Sequence, residues 1–353
     1  MALDGKKGSV PTMSTPSTPA PSPAVSRPPR RMTAPGVQAR KSNSDGASTR
    51  LVMVTAYDAP SARIAHRAGT DMILVGDSLA MVVLGYEDTL QVTTQDMAHH
   101  TAAVARGLAA SEAAGVDKPR PLIVGDLPWM SYHVSIDDSV RNAAALMRAG
   151  AGCVKLEGGR KRLPVIRAIL DAEIPVMGHL GLTPQSVNSL GGFKVQGKQI
   201  AAARELIEDA KALADAGCFA IVLEAIPDAL ARAITEAIDI PTIGIGAGPH
   251  CDGQVLVWHD FLGLEERMAP KFVRRYAQLG HDAEAAVAAY AADVRTGAFP
   301  AAAESYCSSQ ELIEALTPQS TVVSPADPSL ADASLADASR FDMDEFLVGL
   351  YGG

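Results

Sequence analysis

Val154-Lys-Leu-Glu157 sets a lysine and a glutamate into an otherwise apolar run, two positions apart. Residues two apart on a strand point to the same side, so Lys155 and Glu157 share one face. A lysine inside an apolar strand is unusual unless it is paired. Three further runs close in the same way: Ile73-Leu-Val-Gly-Asp77, Ile123-Val-Gly-Asp126 and Ile221-Val-Leu-Glu224. Each is an apolar stretch finished by a carboxylate, the pattern of a strand buried on both faces whose end reaches a polar surface.

Working outward from these four runs, short apolar segments alternate with helical patterns. The predicted strands are Leu51–Thr55, Met72–Val75, Leu122–Gly125, Cys153–Leu156, Pro175–Gly178, Ala220–Leu223, Thr242–Gly244 and Gln254–Trp258. Helices are predicted over Pro60–Ala68, Thr94–Arg106, Asp137–Ala149, Leu163–Asp171, Ala201–Ala216 and Asp228–Ile238. Capping boxes at Thr93-x-x-Asp96 and Ser135-x-x-Asp138 mark two helix starts. Ala68-Gly69, Ala149-Gly150 and Ala216-Gly217 mark three ends, where glycine permits a left-handed closing residue. Eight strands alternating with helices give an α/β protein, and the count favours a closed (β/α)8 TIM barrel over an open sheet.

Composition agrees. Of 353 residues 47% are apolar, 20% are charged and only 5% are aromatic, so the core is built from Val, Ile, Leu, Ala and Met. A net charge of −9 without a basic cluster argues against a nucleic-acid surface. No apolar run approaches the ~18 residues of a membrane span, and the N-terminus lacks a secretory apolar core. Cys153, Cys218, Cys251 and Cys307 form no CxxC pair, and His250-Cys251 has no second pair at zinc-site spacing. A reduced, cytoplasmic protein is expected, with no nucleic-acid or membrane partner.

Both ends leave the barrel pattern. Residues 1–31 are rich in Pro, Ser and Thr, as in Pro16-Ser-Thr-Pro-Ala-Pro-Ser-Pro, and are expected to be a disordered extension, with a transit peptide as the competing reading. The catalytic barrel is assigned to 32–306. Residues 307–353 are expected to be a disordered tail; they repeat Ser329-Leu-Ala-Asp-Ala as Ser334-Leu-Ala-Asp-Ala and end in the acidic-apolar Phe341–Tyr351 stretch.

Chemistry in such barrels sits where strands run out into the βα loops. Asp77, Asp126, Glu157 and Glu224 are therefore expected to meet in space. Two like charges ~4 Å apart at an effective dielectric of ~20 repel by roughly 4 kcal/mol, so several carboxylates together call for a cation. A hard divalent ion such as Mg²⁺ fits an all-oxygen set. The competing reading makes each acid a helix cap or a pair for a nearby base. Lys155 is expected to anchor an anionic substrate, or else to form a salt bridge inside the barrel. Two connections, Ser78–Thr93 and His179–Lys198, are longer than typical and are expected to carry function. Gly244-Ile-Gly-Ala-Gly248 lacks both nucleotide-loop spacings, so its glycines are assigned to tight turning at the rim.

Seven phrases in order, Thr55-Ala-Tyr-Asp58, Val75-Gly-Asp-Ser78, Asp126-Leu-Pro128, Val154-Lys-Leu-Glu-Gly-Gly159, Gly178-His-Leu-Gly-Leu-Thr-Pro-Gln-Ser-Val-Asn188, Gly191-Gly-Phe-Lys-Val-Gln-Gly197 and Ile243-Gly-Ile-Gly-Ala-Gly248, resemble the ketopantoate hydroxymethyltransferase family. That family belongs among the phosphoenolpyruvate mutase/isocitrate lyase-like barrels. The resemblance implies hydroxymethyl transfer from 5,10-methylenetetrahydrofolate to 3-methyl-2-oxobutanoate, giving ketopantoate for pantothenate and coenzyme A through a Mg²⁺-stabilised enolate. It implies one Mg²⁺ per subunit held by Asp77, Asp126 and Glu157. Keto acid would be bound by Asp77, Ser78, Asp126, Lys155 and His179, and Glu224 would be the general base. A homodecamer is also implied. The rivals are a related Mg²⁺-dependent carbon–carbon lyase or mutase on the same barrel, and a non-catalytic barrel used as a scaffold.

Overall fold

The computed structural model describes residues 31–41, 50–265 and 270–317. The Pro16 stretch, the Ser329 and Ser334 repeat and the Phe341–Tyr351 stretch lie outside the described residues.

Eight parallel strands close into a barrel in sequence order: β1 (Leu51–Thr55), β2 (Met72–Val75), β3 (Leu122–Asp126), β4 (Cys153–Glu157), β5 (Val176–Gly181), β6 (Ala220–Glu224), β7 (Thr242–Ile245) and β8 (Gly253–Leu256), with β8 pairing back to β1. Helices α1 (Ala34–Gln38), α2 (Ala59–Ala68), α3 (Leu79–Val82), α4 (Thr94–Ala113), α5 (Ile136–Arg148), α6 (Leu163–Asp171), α7 (Val187–Leu190), α8 (Ile200–Asp215), α9 (Asp228–Ala237), α10 (Trp258–Phe261), α11 (Leu279–Thr296) and α12 (Gln310–Leu316) complete the described elements. The residues fall into two compact units, one up to Val287 and one from Ala288. Within the second, Tyr290 and Phe299 pack edge to face. Among the described residues no helix is long and apolar enough to cross a membrane.

Alternation along each strand builds two cores. One set of residues, including Ile73, Val75, Ile123, Val154, Leu156, Ile221 and Leu223, packs outward with the buried faces of the helices. The other set fills the barrel: Leu51 and Met53, Met72 and Leu74, Leu122 and Val124, Cys153, Met177, Ala220 and Val222, Ile243 and Ile245, and Val255. Burying one Leu- or Met-sized side chain is worth roughly 1.5–3 kcal/mol, so both layers hold the strands firmly. Ala34 and Val37 of α1 belong to the interior set. Thr33 caps that helix by accepting from Gly36 N, and Lys41 just beyond it donates to Asp252 and to the Thr235 carbonyl. The sequence pattern did not announce α1, which is one turn long.

Other departures are local. The Ser78–Thr93 connection contains α3, and His179–Lys198 contains the end of β5, a 3-10 turn at Pro184–Ser186 and α7. The last strand stops at Leu256, because Trp258 opens α10. Thr93 and Asp96 form the full reciprocal box; at Ser135 the side chain accepts from Asp138 N, while Asp138 answers the hydroxyl rather than the backbone. A box not foreseen joins Asp58 and Ser61 at the start of α2. Gly69, Gly150 and Gly217 do close their helices with positive φ.

Helix α4 runs seven residues past its predicted end, through Gly107. A Cβ there would stand 2.5 Å from the Ala59 carbonyl oxygen. Glycine is required at this crossing because α4 lies directly against the start of α2, a packing reason that outweighs its poor helix propensity.

Candidate active site

The inward faces of β3, β4, β5 and β6 change character at their last inward positions. Below them stand Val124, Cys153, Met177 and Val222. Above them stand Asp126, Lys155 with Glu157, His179 and Glu224, the next residues in the same period-two pattern. Strand register brings them side by side, pairing Asp126 with Lys155 and Glu157 with His179. Asp77 and Ser78 follow β2 directly. All seven line one cavity of about 980 Å³ at the C-terminal mouth of the barrel.

The charges are tightly interleaved. Lys155 Nζ lies 2.9 Å from Asp126 Oδ1 and 3.3 Å from His179 Nδ1. His179 stands between two carboxylates, with Nδ1 3.4 Å from Glu157 Oε1 and Nε2 3.1 Å from Glu224 Oε2. These are ion-pair contacts rather than aligned hydrogen bonds: Asp126 Oδ1, Glu157 Oε1 and His179 Nε2 are buried without a hydrogen-bond partner. Asp126 Oδ2 accepts from the Asp77 backbone N–H at 3.2 Å. Ser78 Oγ is 2.9 Å from the Tyr57 hydroxyl.

Environment sets the protonation. Burial, then the charges of Asp126 and Glu157, push the Asp77 carboxyl well above the usual carboxylate range, against the pull of Lys155 and Gln185. Burial opposes the Lys155 charge, but Asp126, Asp77 and Glu157 more than offset it and raise its pKa. For His179, burial and the Lys155 ammonium lower the pKa, yet the contacts with Glu157 and Glu224 prevail and hold it at about 9. The two carboxylates thus favour the protonated ring, against burial and the Lys155 ammonium.

Two further residues of this site were not singled out from the sequence. Gln185 donates from Nε2 to Asp77 Oδ2 and to the Leu127 carbonyl, both at 2.9 Å, and its backbone N–H reaches Glu157 Oε2 at 3.1 Å. Tyr132 donates its hydroxyl to Gln185 Oε1 at 2.6 Å and accepts from the Glu157 N–H at 3.2 Å. Gln185 lies within the long connection flagged as functional, which was the nearest available clue.

The remaining motifs are structural. Gly246 and Gly248 take positive φ at the rim, as the glycine-rich turn requires. Cys251 is buried while His250 contacts Arg232, so the pair does not act together. Among the described residues, no group of three or more His, Cys, Asp or Glu side chains already stands in metal-holding geometry. The carboxylates are near one another but are propped apart by Lys155, His179 and Gln185.

The chain as a whole is similar to known proteins. The profile of the ketopantoate hydroxymethyltransferase family matches residues 31–302. A 3-methyl-2-oxobutanoate hydroxymethyltransferase of Clostridium acetobutylicum is 55% identical over 276 residues, covering 78% of this chain and 96% of the relative. One of Moorella thermoacetica is 54% identical over 271 residues, with 76% and 96% covered. Among solved structures, a phosphonopyruvate hydrolase superposes with a TM-score of 0.49 at 13% identity, covering 80% of this chain and 94% of that one.

Proposed function

Since this chain belongs to the ketopantoate hydroxymethyltransferase family, we propose that it transfers a hydroxymethyl group from 5,10-methylenetetrahydrofolate to 3-methyl-2-oxobutanoate. The product is ketopantoate, a precursor of pantothenate and coenzyme A. The observation that carries this reading is the set of Asp77, Asp126, Lys155, Glu157, His179 and Glu224 around one cavity, in a chain more than half identical to relatives of that name.

The donor set suits a hard divalent cation. Asp77, Asp126 and Glu157 are three buried carboxylates beside a single ammonium, and Asp126 Oδ1 and Glu157 Oε1 have no hydrogen bond. Mg²⁺ uses one or two carboxylates and completes its shell with water and substrate oxygens, which suits acids that are close but not closed into a cage. Those three residues would hold it. When bound, it would supply Lewis acidity to the keto and carboxylate oxygens of the substrate.

The chain's own residues divide the rest of the work. Lys155 offers the ammonium that holds the substrate carboxylate, with Ser78 and His179 beside it. Glu224 takes the C3 proton, and the His179 ring at 3.1 Å fixes where its carboxylate points. The electron pair left at C3 forms the new bond to the methylene carbon of the carrier. Water supplies the hydroxyl, both carrier nitrogens are released, and the protons from C3 and water end on them. Tyr86, Phe193, Val195 and Phe272 add apolar surface to the lining of the same cavity. A cytoplasmic location and a homodecamer complete the reading; free Cys153, Cys218, Cys251 and Cys307 fit the first, and analytical ultracentrifugation tests the second.

The test is proton exchange at C3 of 3-methyl-2-oxobutanoate in heavy water, with and without Mg²⁺, followed by addition of methylenetetrahydrofolate. Metal-dependent exchange and then ketopantoate are expected. Exchange without product would favour a carbon–carbon lyase or mutase on this barrel, and no exchange would favour a scaffold.

A further inference from the structure

We infer that Gln185 is a positioning residue that sets the spacing of the Asp77 and Glu157 carboxylates, and with it the size preference of the cation site. This rests on those two acids being cation ligands, as proposed above.

Both side-chain polar atoms of Gln185 and its backbone N–H are committed. Both Nε2 protons have acceptors, Asp77 Oδ2 and the Leu127 carbonyl, each at 2.9 Å. The Oε1 atom accepts from the Tyr132 hydroxyl at 2.6 Å, and Tyr132 is itself tied to the Glu157 backbone N–H at 3.2 Å. Turning the amide over would set Oε1 against a carboxylate and a carbonyl, so its orientation is locked. The backbone N–H of the same residue donates to Glu157 Oε2 at 3.1 Å. One residue on a short 3-10 turn therefore grips one oxygen of each acid, and does so from opposite ends of its own structure.

The consequence is a rigid separation. Gln185, Tyr132, Asp77 and Glu157 are all buried, so solvent cannot substitute for a lost bond. Glu157 Oε1 is left buried without a hydrogen bond, with only the His179 Nδ1 contact at 3.4 Å. Mg²⁺ needs oxygens at ~2.0–2.1 Å and tolerates little distortion, whereas Ca²⁺ accepts ~2.3–2.6 Å and irregular shells. A fixed pair of acids discriminates between the two; a loose pair does not. Hydrogen-bond partners of ligating groups typically matter by ~10–100-fold in metal affinity.

Calorimetric titration of the metal-free, full-length protein with Mg²⁺ and with Ca²⁺ tests this, on wild type, Gln185→Met, Tyr132→Phe and the double variant. Gln185→Met is expected to lose about 10–100-fold in Mg²⁺ affinity and less in Ca²⁺ affinity, narrowing the preference. Tyr132→Phe, which leaves Gln185 in place, should lose less, and the double variant should lose less than the two single losses combined, because the two share one bond. Unchanged Mg²⁺ affinity in Gln185→Met, with only thermal stability reduced, overturns the inference and leaves the cation reading standing. A wild-type protein that binds no Mg²⁺ overturns both.

Discussion

His179 Nε2 lies 3.1 Å from Glu224 Oε2, while the other nitrogen of the same ring faces Glu157 Oε1 at 3.4 Å. One imidazole thus links the acid assigned to proton removal with an acid assigned to the cation. Burial and Lys155 lower its pKa, but those two carboxylates outweigh them and raise it to about 9.

Glu224→Gln preserves the size of the side chain and an acceptor for His179 but removes the base. Loss of a general base costs typically ~10²–10⁴-fold, so C3 exchange should fall by that factor. Keto-acid and Mg²⁺ binding, followed by calorimetry, should stay within a few-fold of wild type. Exchange at the wild-type rate would rule out Glu224 as the base.

Lys155→Met removes the ammonium from a buried pair and leaves Asp126 uncompensated. Truncating one member of such a pair costs about 2–5 kcal/mol, or roughly 30-fold to several thousand-fold in binding. A rise in KM for 3-methyl-2-oxobutanoate and a lower Tm without substrate are expected. An unchanged KM would make Lys155 a purely internal counter-ion, the competing reading of its place in the strand.

Asp260, on the cavity wall, has its carboxyl raised to about 6 by burial and by Glu265, partly relieved by Arg275. The folded state therefore holds this proton more tightly than the unfolded chain, whose aspartate titrates near ~3.9. Between those values the folded state binds more protons, so this group's contribution to stability falls as pH rises and stays low above about pH 6. Asp260→Asn should gain Tm relative to wild type as pH rises from about 4 to 7. A difference in Tm that does not change with pH would contradict the assignment.

Gly107→Ala introduces a Cβ that would stand 2.5 Å from the Ala59 carbonyl oxygen and 2.7 Å from its Cα. Overpacking costs typically ~1–3 kcal/mol, against a helix-propensity gain of ~1 kcal/mol. A net loss of stability of up to about 2 kcal/mol is expected, visible as a Tm lower by several degrees in calorimetry. A higher Tm would show that α2 shifts freely.

Much of this was visible in the chain itself, for reasons that can be located. Leu51–Thr55 and Met72–Val75 were placed to the residue because each apolar run is bounded by polar or glycine residues. Asp126, Glu157 and Glu224 were set one position outside their strands, yet all three pair within the sheet. An acid ends an apolar pattern without ending backbone hydrogen bonding. Gly107 looked like a helix boundary because its reason, the contact with Ala59, joins residues far apart in sequence. Tyr132 and Gln185 were missed on the same ground. Their bond spans 53 positions, and neither residue type stands out where it occurs.

The two cores share their strands, and that gives β4 a phase. Lys155 and Glu157 face the cavity only because Val154 and Leu156 face the helices. Inserting one residue at Cys153 would exchange the two sets, sending charge into the apolar layer and the valine and leucine into the site. An equal insertion among residues 191–198, which belong to no strand, would leave both layers untouched. Length changes are thus expected to be tolerated in the connections of this barrel, while the strands admit substitution but not addition.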